Sequence, residues 1–315
     1  MIDFKSRLKG GIIGLCVGDA LGVPVEFTSR ESLLTSPVTE MTGYGTYKQP
    51  PGTWSDDSSM TFCTIESLCK GDNLTGIAEN FIKWRDESYW TPYGIVFDIG
   101  IGTNKAIIKL KSVKDPRKAG NVEENSNGNG SLMRILPLAF YFKEQDIDKR
   151  FEIISDVSSL THAHIRSVIA CFIYTELASL LIKGMDKHTA YNETIIRIKE
   201  YLEKMDIEPY EYSKFTRVLD GSIDRLEANM ISSSGYVIDS LEVSIWTLLT
   251  TSSFSEAVLK SINLGGDTDT NGAITGGLAG IYYGLDSIHP DWIKKTARID
   301  DIIKLIEKFH KAVST

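Results

Sequence analysis

Little in this sequence of 315 residues points to a membrane, a disulfide scaffold or a nucleic-acid platform. No stretch reaches the roughly 18 uninterrupted apolar residues of a membrane span. Met1 to Lys9 is polar and amphipathic, without the apolar core of a signal peptide. The four cysteines, Cys16, Cys63, Cys69 and Cys171, lack zinc-type spacing and sit inside helical patterns. They read as buried free thiols in a reducing, cytoplasmic compartment. A basic surplus is missing too. With 34 Lys+Arg against 42 Asp+Glu the net charge is −8, which argues against nonspecific nucleic-acid binding. There is no convincing succession of alternating strands, no internal repeat and no low-complexity linker.

What remains is helical periodicity. Phe4, Leu8, Ile12 and Leu15 follow it, as do Ile165, Ile169, Phe172 and Ile173. Tyr191, Ile195, Ile198 and Leu202 repeat it, and so do Leu241, Ile245 and Leu248. Clusters at Gly43 to Gly52, Gly71 to Asn73, Asn121 to Gly130 and Ser232 to Gly235 punctuate the helices. The informative motifs start near one end of the chain and finish near the other. This predicts one all-α domain over residues 1–315, a helical bundle whose site is assembled from both ends.

Two segments are rich in small residues: Gly10, Gly11, Gly14, Gly18, Ala20 and Gly22, and then Gly272, Ala273, Gly276, Gly277, Ala279 and Gly280. Glycine costs a helix about 1 kcal/mol against alanine, a loss usually offset by close packing. The two segments are expected to pair at the centre of the bundle. Each lies near an acidic motif, Trp54-Ser55-Asp56-Asp57-Ser58 or Gly265-Gly266-Asp267-Thr268-Asp269-Thr270-Asn271. One capping residue satisfies a helix start. Adjacent like charges repel unless a cation sits between them, and oxygen-only donor sets suit Mg²⁺ or Mn²⁺. If the fold joins the two motifs, their carboxylates compose a two-metal site.

Asn127-Gly128-Asn129-Gly130-Ser131 runs into Leu132-Met133-Arg134. A glycine-rich turn entering a helix offers backbone N–H groups to a diphosphate, but a flexible surface loop reads the same way. Thr161-His162-Ala163-His164 opens a further helix. Histidines two residues apart point to different sides, so one can reach a ligand while the other is structural.

In order, the motifs Gly14-Leu15, Gly18-Asp19-Ala20-Leu21-Gly22, Glu26, Trp54 to Ser58, Asn129 to Arg134, Thr161-His162 and Gly265 to Thr270 resemble the ADP-ribosylglycohydrolase family. Within that family the motifs look like the bacterial type that reactivates dinitrogen reductase. The resemblance spans nearly the whole chain. It implies an all-α orthogonal bundle, two Mg²⁺ or Mn²⁺ ions, and hydrolysis of an ADP-ribosyl bond to a protein side chain, arginine favoured. It further implies Ser55, Asp56, Asp57, Asp267, Asp269 and Thr270 as metal ligands, and Glu26 and Asp98 as catalytic carboxylates, either of which could be the base. Gly128, Asn129, Gly130 and Ser131 would hold the diphosphate, and His162 would lie near the distal ribose. Ser55 stands where threonine is common in the family, and its hydroxyl preserves a donor oxygen. The implied partner is an ADP-ribosylated protein or conjugate; no nucleic acid and no membrane are expected, and the oligomeric state is left open with a monomer favoured. Two other readings fit the same residues: a dinuclear phosphohydrolase of nucleotides, and a non-enzymatic ADP-ribose-binding or crystallin-like module.

Overall fold

The computed structural model describes residues 2–71 and 74–314. Asp72 and Asn73, in the expected Gly71 to Asn73 break, lie outside the described residues. In chain order the helices are α1 (Phe4–Gly22), α2 (Arg30–Thr35), α3 (Asp56–Cys69), α4 (Leu74–Glu87), α5 (Ile101–Leu110), α6 (Pro137–Tyr141), α7 (Ile147–Ser158) and α8 (Ile165–Ile182). There follow α9 (Lys187–Lys204), α10 (Pro209–Ser213), α11 (Thr216–Leu219), α12 (Val237–Leu249), α13 (Phe254–Ile262), α14 (Thr268–Tyr283), α15 (Pro290–Lys295) and α16 (Ile299–Val313). Among the described residues there is no β-strand, only isolated bridges at Asn121–His162 and Gly128–Tyr236. The all-α expectation holds.

Helices α1 and α14 form the axis. They run antiparallel with their backbones in contact. A Cβ on Gly14 or Gly18 would lie 2.4 or 2.0 Å from the carbonyl oxygen of Gly276 or Gly272. One on Gly280 would lie 1.9 Å from the Gly10 oxygen. No side chain fits there, which explains glycine at four-residue spacing in both helices. Helices α12 and α13 pack on α14, α8 covers both α12 and α14, and α3 lies against α16 and α4.

The sequence has no long unbroken apolar run, yet Phe4–Val25 and Ile165–Ile182 are apolar and long enough to cross a membrane. They are 83% and 94% buried inside the protein, as the central helices of its own core. All the cysteines are free. Cys16, Cys63 and Cys171 are buried as expected, whereas Cys69 is only half-buried.

Antiparallel pairing has a local consequence. It sets the C-terminal end of α1 beside the N-terminal end of α14. The Thr268 hydroxyl donates to the Gly22 carbonyl at 2.8 Å. The Phe27 amide donates to Gly266 at 2.7 Å, and the Gly266 amide to Thr28 at 3.0 Å. Gly265 and Gly266, both at positive φ, press against the Arg30 amide and the Ser233 carbonyl. A side chain on either would collide with that backbone.

Candidate active site

Three helix ends meet at one place. Asp19, one turn before the end of α1, is buried and accepts hydrogen bonds from the Ser55 amide (2.9 Å), the Ser58 amide (3.1 Å) and the Ser58 hydroxyl (2.6 Å). It therefore fixes the start of α3 to α1. Burial pushes its carboxyl up to about 7 against those hydrogen bonds. Ser55 caps α3, accepting from the Asp57 amide and donating to Asp57 Oδ2 at 3.1 Å. Thr270, in the first turn of α14, donates to the same Asp57 oxygen at 3.3 Å. The two acidic motifs thus converge.

Asp57 and Asp269 are fully buried, with Asp56 and Thr270 at 6% exposure above them. Oxygens of Glu26, Asp267 and Asp269 all lie within 4.8 Å of one another. Asp57 Oδ1, Asp269 Oδ2 and Glu26 Oε2 are buried without a hydrogen-bond partner. Such oxygens are rare in a folded protein and expensive to keep. Burial, and then the neighbouring carboxylates, push Asp56, Asp57 and Asp269 well above the usual range. Burial and Asp98 push Glu26 up to about 9. An all-oxygen, unneutralised donor set of this kind fits a hard divalent cation, and a bound cation would reverse the upward push on these groups.

Above this floor opens a cleft of about 490 Å³. Glu26 and Asp98 both line it. The Glu26 backbone is pinned by the Thr46 hydroxyl, which donates to its carbonyl at 2.8 Å. Asp98 sits at φ 52, a left-handed conformation that Asp tolerates. Tyr47 donates to Asp98 Oδ1 at 2.6 Å. Burial and the adjacent Asp98 and Glu26 raise the Tyr47 pKa, so it stays a neutral donor.

The opposite wall is the glycine loop. Gly128, Asn129, Gly130 and His162 line the cleft. Ser131 does not. Its side chain is fully buried and accepts from the Cys171 thiol at 3.4 Å. The helix expected after it is a single 3₁₀ turn, Leu132–Arg134. Pro137 has no N–H to continue an α-helix and instead opens α6. Asn129 is also otherwise engaged. Its amide donates to Gly235 at 3.1 Å, and its side chain to Asp267 Oδ2 at 2.8 Å and Ser240 at 2.9 Å. It therefore orients a floor carboxylate. His162 faces the cleft, while His164 caps α8 by accepting from the Arg166 amide.

Sequence reasoning missed Tyr47 and the role of Asp19. Asp19 stood inside a quoted motif, and its burial is what reveals it. Tyr47 lies in an irregular loop with no periodicity to flag it.

The profile of the ADP-ribosylglycohydrolase family matches residues 1–315. An ADP-ribosylarginine hydrolase of Serratia proteamaculans (strain 568) is 30% identical over 304 residues, covering 96% of this chain and 78% of its own. The ADP-ribosyl-dinitrogen reductase glycohydrolase of Rhodospirillum rubrum is 28% identical over 293 residues, covering 92% and 90%. A solved structure described as an ADP-ribosylglycohydrolase-related protein complex superposes with a TM-score of 0.81 at 27% identity, over 99% of each chain.

Proposed function

The chain belongs to the ADP-ribosylglycohydrolase family, and from that premise we propose that it removes ADP-ribose from arginine side chains of modified proteins. One observation carries the proposal: buried, unpartnered carboxylate oxygens at the bottom of an open cleft. A structural acidic cluster would neutralise them internally, and a nucleotide-binding pocket without hydrolytic work has no need of them. Arginine is favoured because the Serratia relative carries that activity in its name and because an acidic cleft suits a cationic leaving group. We read residues 1–315 as one catalytic domain, since the floor draws on both ends of the chain.

Ser55, Asp56, Asp57, Asp267, Asp269 and Thr270 are the residues assigned to hold two Mg²⁺ or Mn²⁺ ions. Those ions would supply Lewis-acid polarisation and charge stabilisation. The chain's own residues do the rest. Breaking the bond between the anomeric carbon and a guanidine nitrogen builds positive charge on the sugar, which a carboxylate-lined cleft favours. Water supplies the hydroxyl that replaces nitrogen, and the proton it loses is passed on to the departing guanidine nitrogen. We assign the water's proton to Glu26. Its Oε2 is buried without a hydrogen-bond partner, and Glu26 offers an oxygen within 4.8 Å of Asp267 and Asp269. Gly128, Gly130 and His162 face the diphosphate and distal ribose, and Asn129 holds Asp267 in place.

The test is incubation with arginine-linked and serine-linked ADP-ribosyl peptides, with Mg²⁺, with Mn²⁺ and with chelator. Metal-dependent release of ADP-ribose from the arginine peptide is expected. Release of phosphate instead would support a phosphohydrolase, and turnover of the serine peptide alone would reassign the bond.

A further inference from the structure

Arg134 is a fully buried cation with no carboxylate partner among the described residues. Its guanidinium lies over the Phe81 ring at 4.6 Å, and Nε and NH1 have no hydrogen-bond partner. NH2 donates to the Thr161 hydroxyl at 2.7 Å and, more weakly, to the Val157 carbonyl at 3.3 Å. Burying a charge this way is costly, and the roles assigned above leave Arg134 without one.

Thr161 is the link. Among the described residues its hydroxyl oxygen has two polar neighbours, Arg134 NH2 and His162 Nδ1, the latter at 2.9 Å. A guanidinium can only donate. The Thr161 oxygen therefore accepts from Arg134, and its own hydrogen is left for His162 Nδ1. An Nδ1 that accepts must be unprotonated, so the ring hydrogen resides on Nε2. That atom lies 3.6 and 3.8 Å from the positions a Cβ would take on Gly128 and Gly102, at the cleft wall. The ring is clamped. A Cβ on Gly130 would come within 2.8 Å of its Cε1, and the His162 amide donates to Ser158 at 2.8 Å.

We propose that Arg134 is a positioning residue which, through Thr161, fixes His162 as the Nε2–H tautomer and so presents a single neutral donor to a ligand oxygen in the cleft. Burial, and then the Arg134 charge, lower the His162 pKa to about 3, consistent with an uncharged ring. The identity of the ligand rests on the ADP-ribose reading; the tautomer does not.

Imidazole ¹⁵N–¹H correlation spectra of the Mg²⁺-supplied protein test this, with His162 assigned by its loss in His162→Gln. The wild type should show Nε2 protonated. Thr161→Val should yield a tautomer mixture, Thr161→Ser should restore the wild-type pattern, and Arg134→Met should match Thr161→Val. By calorimetry, Thr161→Val should bind ADP-ribose about tenfold more weakly, the scale of one lost hydrogen bond. A wild-type Nδ1–H ring, or an unchanged tautomer in folded Thr161→Val, overturns the relay. An unchanged tautomer in folded Arg134→Met overturns the part given to Arg134. If Arg134→Met does not fold, the first two spectra still decide. A shifted tautomer with unchanged ADP-ribose affinity keeps the relay and overturns the placement of ADP-ribose against His162.

Discussion

On the floor of the cleft Glu26, Asp57 and Asp269 each keep a buried oxygen without a partner. On the wall, Asn129 donates to Asp267, Ser240 and Gly235, and Ser131 is turned into the core. The floor keeps unpaired carboxylate oxygens, whereas on the wall the side chains of Asn129 and Ser131 are engaged by the protein itself. The acidic residues crowded at helix starts thus leave a charge imbalance in the structure that the glycine-rich loop does not. The loop brings the Gly128 and Gly130 backbone to the cleft, beside the His162 ring.

The largest effect expected from breaking this contrast is on the floor. Asp57→Ala or Asp269→Ala should lower ADP-ribose release by about 10³-fold or more, while circular dichroism stays native. Melting without metal should occur at the same or higher temperature, because a repelling carboxylate is gone. Wild-type-like turnover at limiting metal would remove the two-metal assignment.

Glu26→Gln comes next. It should reduce kcat by about 10²-fold, the scale of a general base, with ADP-ribose still bound. Near-normal kcat would transfer the task to Asp98.

On the wall, Gly130→Val should weaken ADP-ribose binding by about tenfold. The new side chain meets His162 Cε1 and Thr103 Oγ1, each 2.8 Å from the Cβ position, so the protein's own groups are displaced first. Metal affinity measured by calorimetry should hold. A parallel loss of metal binding would show that floor and wall are one unit.

The smallest effect sharpens the comparison with a carboxylate that is buried but partnered. Glu242 lies 3.2 Å from Arg217. Burial raises its carboxyl to about 7, with Arg217 opposing. The folded value exceeds the ordinary 4.5, so its contribution is full below about 4.5 and is lost as pH rises through about 7. Glu242→Gln should thus gain about 2 °C in Tm relative to wild type between pH 5 and pH 8, equally with and without Mg²⁺. A metal-dependent difference would place Glu242 in the floor's electrostatics.

The sequence made much of the floor legible because its signals are local. Glycines at four-residue spacing announced the α1–α14 contact, and Ser55 with Asp56 and Asp57 announced a helix start. What escaped depends on direction in space. Nothing in Asn129-Gly130-Ser131 tells which side chain faces the cleft, and the Tyr47 bond to Asp98 joins two irregular loops. The missing helix after Ser131 was readable from Pro137, whose absent N–H limits the preceding turn.

The pairing of α1 with α14 also bears on synthesis and folding. The residues that meet there, such as Gly18 with Gly272, are separated by most of the chain, and closing so long a loop is slow relative to local helix formation. A growing chain has α1, α3 and the glycine loop long before it has the second half of its floor. Hydrolytic activity should thus appear only once α14 has emerged and docked, making it a direct assay for the closing of the α1–α14 pair.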